Sequence, residues 1–312
     1  DMYGGAVISC SIAARARVTV EPCERIELVT GGETFVVQGA DDLALRGDNF
    51  DVARAVLEYL ADNGLACRIT YRSEVPIRAG VSSSTALLVA ILYGVLQFKG
   101  ANYHLYRVAE LARYIELNHF RVVCGYQDAY MCTFGGLNYM DFRGKQFYRE
   151  AAEELYATVE PLDRFVPLLP FVLAHTGVEH SSDAVHKPLR ERWLEGDPMV
   201  RRGYEEITRL AQEGKKALLS QDWPRLGWLM NENHAVQRDL GGSGESNERM
   251  IRVALEHGAL GAAFTEQRGD FAGVDPFDGD DAVFLEVLRQ RPAGPPVAGP
   301  TAALAHDEPF HE

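Results

Sequence analysis

Three regions of this chain hold the residues most able to do chemistry. In the first, Val75-Pro76-Ile77-Arg78-Ala79-Gly80 runs into Val81-Ser82-Ser83-Ser84-Thr85-Ala86, a glycine- and hydroxyl-rich loop ahead of an apolar run. Backbone N–H groups at a helix start are unpaired and carry partial positive charge, so strand, Gly/Ser loop and helix form a natural cradle for phosphate. The serine hydroxyls add hydrogen bonds, and one can reach a phosphate-bound Mg²⁺. Ser and Thr are also favoured N-caps, so the same residues admit a plainer reading as a helix cap. The second region holds two carboxylates: Glu116, one position past Ile115 of an apolar helix face, and Asp128, in Gly125-Tyr126-Gln127-Asp128-Ala129-Tyr130 after a turn glycine. Taken singly, these read as a solvated flank and a local cap. The third, His175-Thr176-Gly177-Val178-Glu179-His180-Ser181-Ser182, is a polar loop that also fits an ordinary strand-to-helix connection. Together they supply what phosphoryl transfer needs: amides for the phosphates, a hydroxyl and a carboxylate for Mg²⁺, and an Asp near the acceptor hydroxyl.

The elements that must position these groups are legible as periodicities. A strand over Cys67 to Tyr71 leads into the first loop, and Ala86 to Phe98 reads as a buried helix. An amphipathic helix over Tyr103 to His119 sets Val108, Leu111, Ala112 and Ile115 on one face. Upstream, β-branched runs at Ala14 to Val20, Ile26 to Thr30 and Thr34 to Val37 predict an antiparallel meander. Asp48-Asn49 caps a helix carrying Val52, Val56, Tyr59 and Leu60, which Gly64 ends. Downstream, Phe134 to Phe142 is glycine followed by strand, Pro161 to Ala174 supplies another strand, and Arg190 to Gln221 reads as one long helical region. Further helices fit Pro224 to Leu240 and Ser246 to His257. The uneven alternation predicts α+β rather than a doubly wound parallel sheet. The acidic Glu150 to Glu160 segment suggests two domains, 1–155 and 156–290, and the Pro/Ala/Gly-rich 291–312 reads as a disordered tail.

Composition bounds the partners. In 312 residues, 46% are hydrophobic and 24% charged, ordinary for a globular protein with a real core. A formal net charge of -14 argues against nucleic acid or an anionic membrane as the main partner, and leaves room for a locally basic pocket that binds an anionic substrate. The five cysteines, at 10, 23, 67, 124 and 132, form no CxxC pair, which argues against a disulfide framework or zinc site and for a reducing, cytoplasmic setting. No apolar run reaches the ~18 residues of a membrane span. Asp1-Met2-Tyr3-Gly4-Gly5 leads directly into a strand-like Ala6-Val7-Ile8, with no signal-peptide pattern, so the chain is expected to start inside a domain.

With these residues in view, the chain resembles the GHMP kinases, small-molecule kinases that include galactokinase, homoserine kinase, mevalonate kinase and phosphomevalonate kinase. Gly80-Val81-Ser82-Ser83-Ser84-Thr85-Ala86 is similar to their phosphate loop in its galactokinase-like serine version. Gly125-Tyr126-Gln127-Asp128 with Phe134-Gly135-Gly136 resembles their G-x-x-D…G-G segment, and Met2-Tyr3-Gly4-Gly5-Ala6-Val7 resembles the D-Y-x-G-G-x-V stretch of the sugar kinases. Within the family, Val185-His186-Lys187-Pro188-Leu189-Arg190-Glu191-Arg192-Trp193-Leu194-Glu195-Gly196-Asp197 looks most like the glucuronokinase type, as do Met230-Asn231-Glu232-Asn233 and Arg238-Asp239-Leu240. The resemblance implies a two-domain fold, with an N-terminal ATP-binding domain of the ribosomal protein S5 domain 2-like kind and a C-terminal α/β sandwich. It implies ATP- and Mg²⁺-dependent phosphorylation of the anomeric hydroxyl of a sugar or uronic acid. Gly80, Val81, Ser82, Ser83, Ser84 and Thr85 would cradle the phosphates, Ser84 and Glu116 would hold Mg²⁺, and Asp128 would act on the acceptor hydroxyl. Thr176, Gly177, His180, Ser182 and Arg190 would lie near the sugar. Arg78, Lys187, Arg190 and Arg192 are the cations available to a uronate carboxylate. A heptose, galactose or mevalonate kinase, or a non-catalytic nucleotide or sugar binder, are the alternatives.

The pattern departs from the family in two places. The basic residue that opens the family's first motif would lie before Asp1. The third motif begins as expected in Gly258-Ala259-Leu260-Gly261-Ala262-Ala263-Phe264-Thr265 but continues as Glu266-Gln267-Arg268-Gly269-Asp270, without its glycine run. Side-chain-bearing residues cannot follow the positive-φ path that such glycines allow, which predicts impaired turnover.

Overall fold

The computed structural model describes residues 1–60, 64–74, 81–145, 155–174, 189–264 and 285–289. In chain order the first half contains β1 (Ala6–Cys10), β2 (Ala16–Pro22), β3 (Ile26–Thr30), β4 (Glu33–Val37), α1 (Asp51–Leu60), β5 (Cys67–Ser73), α2 (Ser83–Phe98), α3 (Leu105–Asn118), α4 (Gln127–Phe134) and β6 (Leu137–Asp141). Along β5 the period-two rule is obeyed: Cys67, Ile69 and Tyr71 are buried, while Arg68, Thr70 and Arg72 face out. Its sheet runs β2-β5-β3-β4, with β5 antiparallel to β2 and parallel to β3. The meander expected from the sequence is therefore wrong in its middle. Only β3 and β4 form a hairpin, because Gly31 and Gly32 both take positive φ, as a tight two-residue hairpin loop requires. No such turn joins β2 to β3, and β5 enters the gap.

Helix α2 packs on β2 and β5, with α1 and α3 beside it, closing the largest apolar core. A Cβ at Gly94 would come within 3.0 Å of Val18 and 3.2 Å of Val20, so that glycine lets the helix sit low on β2. The helix starts at Ser83, three positions before the expected Ala86, so the hydroxyl residues belong to its first turn. Helix α4 is absent from the sequence reading, which saw a turn there.

The second half adds β7 (Thr158–Pro161), β8 (Phe171–Ala174), α5 (Pro198–Leu219), α6 (Trp223–Asp239), α7 (Glu245–Glu256), β9 (Ala259–Phe264) and β10 (Leu285–Arg289). The single helical region expected over 190–221 is interrupted. Residues 189–194 are helical, Gly196 turns at φ +80°, and Asp197 restarts the helix by accepting from the Met199 N–H at 2.9 Å ahead of Pro198. Strand β1 pairs with β6, and β6 with β7, into an antiparallel sheet against which α5 packs. A third sheet has the order β8-β10-β9, so five residues from beyond Thr265 form its central strand. The mix of helices with largely antiparallel sheets is α+β. Among the described residues no helix is long and apolar enough to cross a membrane.

The start of the third motif has a packing reason. Helix α6 lies directly on β9, where a Cβ at Gly227 would meet the Leu260 carbonyl carbon at 2.5 Å and one at Gly261 would meet the Gly227 Cα at 2.5 Å. Asn231 takes advantage of the approach, accepting from the Ala262 N–H at 3.0 Å and donating to the Leu260 carbonyl at 3.4 Å. Backbone on both sides leaves nothing flexible to yield. Gly261→Ala is expected to destabilise the fold by about 1–3 kcal/mol, read as a lower urea midpoint at unchanged slope.

Candidate active site

Ser82 precedes α2 in the left-handed region, φ 59° and ψ 32°, and its side chain makes no capping bond. The cap reading of these hydroxyls is thus not what the structure adopts at the N-cap. The first bond of the helix runs from the Ala86 N–H to the Ser82 carbonyl at 2.8 Å, so the N–H groups of Ser83, Ser84 and Thr85 lie ahead of the ladder. Ser83 is buried, with its hydroxyl 3.4 Å from that of Ser73 at the end of β5; Val81, Ser82 and Ser84 are half-buried. Gly80 lies outside the described residues.

Glu116 is not a solvated flank. It is 3% exposed and accepts from the Thr85 hydroxyl at 2.8 Å. The hydroxyl paired with the carboxylate belongs to Thr85, while Ser84, the expected partner in metal binding, sits at the neighbouring position on the same turn. Asp128 lies half-buried in the first turn of α4, where a negative charge is favoured by the helix dipole. Burial, then Glu116 and Asp128 against the opposing charge of Arg113, hold the Cys124 thiol well above its usual range. Burial, then Asp128 and Glu116, do the same to Cys132, whose sulfur lies 3.9 Å from the Ser82 carbonyl. Both thiols are therefore neutral near pH 7 and poor nucleophiles.

Glu116 ends a stripe. Glu110, Arg113 and Glu116 recur every third position on α3, and all three are buried. The Lys145 ammonium donates to Glu110 at 2.7 Å and to the Leu155 carbonyl at 2.6 Å, and the Tyr130 hydroxyl donates a hydrogen bond to Glu110. Arg113 lies 4.1 Å over the Tyr126 ring and Lys145 4.5 Å from the same ring. The sequence predicts neither Glu110, Arg113 nor Lys145, and it assigns Thr85 to the phosphate cradle, not to Glu116; for Glu110 and Arg113 the three-residue charge spacing along an otherwise apolar helix is the available signal.

The start of α4 is held from far away. The Asp1 carboxylate accepts from the N–H groups of Tyr126 and Gln127, the latter at 2.7 Å. Any Cβ at Gly125 would overlap that carboxylate. Tyr3 continues the segment into an aromatic cluster, stacked on Trp193 at 4.7 Å and 4.7 Å from Tyr204, and Gly5 packs where a Cβ would meet the Thr208 hydroxyl at 2.8 Å. Arg190 lies on the helical stretch 189–194 that carries Trp193. Thr176, Gly177, His180 and Ser182 lie outside the described residues.

Among the described residues no group of three or more His, Cys, Asp or Glu side chains forms a metal cage. That donor set, one buried carboxylate beside serine and threonine hydroxyls, fits a Mg²⁺ that takes most of its ligands from phosphate and water.

Residues 49–136 match the model of the GHMP kinases N terminal domain. The chain is 30% identical over 319 residues to glucuronokinase 1 of Arabidopsis thaliana, covering 94% of this chain and 85% of that relative. Among solved structures, a D-glycero-D-manno-heptose 1-phosphate kinase from Bacteriodes thetaiotaomicron superposes with a TM-score of 0.62 at 21% identity, covering 93% of this chain and 81% of that one. Lactococcus lactis galactokinase gives 0.67 at 14% identity, covering 92% and 81%; both likenesses concern the fold.

The clamp makes a double-mutant prediction. Asp1→Ala and Gly125→Ala should each cost about 1 kcal/mol, the worth of a helix cap, and the double variant should cost no more than either, since both remove one contact; urea denaturation measures all three. Thr85→Val leaves buried Glu116 short of a donor and should cost about 1–3 kcal/mol, whereas Thr85→Ser should be nearly neutral in the same assay.

Proposed function

Because this chain belongs to the GHMP kinases, we propose that it transfers the γ-phosphate of ATP to the anomeric hydroxyl of a uronic acid, as a glucuronokinase-type sugar kinase. The observation that carries the reading is the Thr85–Glu116 bond, which sets a buried carboxylate on the first turn of α2, with Asp128 in the first turn of α4, the helix packed beside it. Likeness to glucuronokinase 1 over 94% of the chain supports the sugar acid over other acceptors.

In this reading the N–H groups at the start of α2 and the serine hydroxyls from Ser82 to Ser84 bind the phosphates of ATP. Ser84 and Glu116 hold Mg²⁺, with Thr85 steering the Glu116 carboxylate. Bound there, the metal neutralises charge on the phosphate oxygens. Asp128 orients the acceptor hydroxyl and takes its proton as the sugar oxygen bonds to the γ-phosphorus and the bond to the bridging oxygen breaks, releasing ADP. The transition state is loose, so an ordinary carboxylate serves and positioning dominates the rate. Helix α4 provides that positioning, since Asp128 follows directly on the Asp1-capped turn.

A second reading, a non-catalytic binder of nucleotide and sugar, draws on Glu266-Gln267-Arg268 standing where the family has glycines. ADP release over a panel of D-glucuronate, D-galactose, a heptose and mevalonate separates the two. Turnover is expected on glucuronate, and Asp128→Asn should lower kcat roughly 10²–10⁴-fold with the KM for ATP unchanged. Tight ATP binding with no turnover on any acceptor would replace the kinase reading with the second one.

A further inference from the structure

We propose that the turn between α6 and α7, through Ser243 and Asn247, binds a vicinal diol of the acceptor sugar ring. The inference rests on the sugar-kinase reading above and adds the residues that read hydroxyls the reaction leaves untouched. Helix α6 closes with the N–H groups of Gly241 and Gly242 on the carbonyls of Arg238 and Gln237, at 2.8 and 2.9 Å. Helix α7 then starts from Gly244, a cap with no side chain to offer. Its first bond runs from the Glu248 N–H to the Gly244 carbonyl at 3.0 Å, so the N–H groups of 245–247 lie ahead of the ladder. Two polar side chains stand open at this end. The Ser243 Oγ is buried and bonds to no described residue. Asn247 is 3% exposed, and its amide likewise makes no hydrogen bond among the described residues. It is the third residue of α7, and Cα–Cβ bonds tilt toward the start of a helix, so the amide leans over the first turn. A side chain there can reach back to the cap, yet this amide does not. Two buried polar groups left open at one place cost stability, a cost that a ligand pairing with them removes.

Charge selects the ligand. Glu245 and Glu248 stand in the same first turn, with Glu248 3.0 Å from the His234 Nε2. Carboxylates there oppose a phosphate or a sugar carboxylate at a helix start that would otherwise favour one. A neutral partner with adjacent donors and acceptors remains. The Asn247 amide offers both, as does the Ser243 hydroxyl, and a vicinal diol presents two hydroxyls side by side to meet them. Contacts tie the turn to the catalytic candidate. Leu240, directly before Gly241, packs with Trp193 and Tyr204 in one apolar cluster, and both rings meet that of Tyr3 at 4.7 Å. Tyr3 is two residues from Asp1, whose carboxylate accepts from the Gln127 N–H directly before Asp128. On its other side α7 packs along β9, Ile251 against Ala262, and returns into it through Gly258, so the helix start lies toward Phe264, where the third motif departs. The ribose of ATP carries a vicinal diol as well. The ties of the turn run to Asp1 and α4, the side of the acceptor hydroxyl, and assign the diol to the sugar.

The test is isothermal titration of the full chain with D-glucuronate, its 3-deoxy analogue and a non-hydrolysable ATP analogue. The 3-hydroxyl belongs to either diol away from the anomeric carbon, so wild type is expected to favour D-glucuronate over the 3-deoxy sugar by about 5-fold or more. Asn247→Leu and Ser243→Ala should each lower D-glucuronate affinity roughly 5-fold or more and hold the ATP analogue as wild type does. Asn247→Leu should also bind the two sugars alike. Because neither side chain has a partner among the described residues, the melting temperature should stay level or rise, whereas a structural role would lower it. Unchanged sugar affinity in both variants, a melting temperature that falls in both, or loss of the ATP analogue in place of the sugar would overturn the proposal. Ser243→Ala carries the test if Asn247→Leu does not fold. ADP release judges the kinase reading separately: turnover of D-glucuronate by wild type with sugar binding unmoved in the variants removes the diol site alone, while a wild type that binds and phosphorylates no sugar removes both.

Discussion

The buried charges along α3 constrain everything around them. Glu110, Arg113 and Glu116 occupy one stripe and are 1%, 4% and 3% exposed. A buried charge without partners costs several kcal/mol, so each must be met by a neighbouring element. Helix α4 and the turn after β6 meet Glu110 through Tyr130 and Lys145, Tyr126 lies under Arg113, and α2 meets Glu116 through Thr85. Satisfying the stripe fixes α2 and α4 relative to α3, and with them the hydroxyls at the start of α2 relative to Asp128. Electrostatic satisfaction and site assembly are one problem here, solved by the same contacts.

The second dependency runs through the first residues of the chain. Helix α4 has no capping side chain of its own at Tyr126, and the two N–H groups at its start are taken by Asp1, 125 and 126 positions earlier. Gly125 is explained by the same contact. Beyond Asp1, Tyr3 and Gly5 press against Trp193, Tyr204 and Thr208, so one short segment joins the helix of the catalytic candidate to α5 and the stretch before it. The Thr85–Glu116 pair and Asp128 come from the first half of the chain, and this segment ties them to the second half.

Local pattern was enough for much of the fold. The alternation in β5, the apolar run of α2 and the spacing of α3 placed those elements within a few residues, because each buries a face that repeats at its own period. Three readings failed for reasons that local pattern cannot carry. Helix α4 is eight residues with a nonlocal cap. Strand β5 intrudes between neighbours in sequence, and the 190–221 region bends where Asp197 caps a new helix.

By itself the sequence determined the chemistry on offer: a Gly/Ser loop before a buried helix, two carboxylates, and an acidic chain ill-suited to nucleic acid. It also carried the family resemblance through motifs whose residues are contiguous. Only the tertiary structure decided that Glu116 is buried and held by Thr85, that Asp128 opens a helix capped by Asp1, and that Arg192 is spent on Asp197. Motifs are written along the chain, but burial, capping at a distance and the competition of charges for partners depend on which segments meet in space.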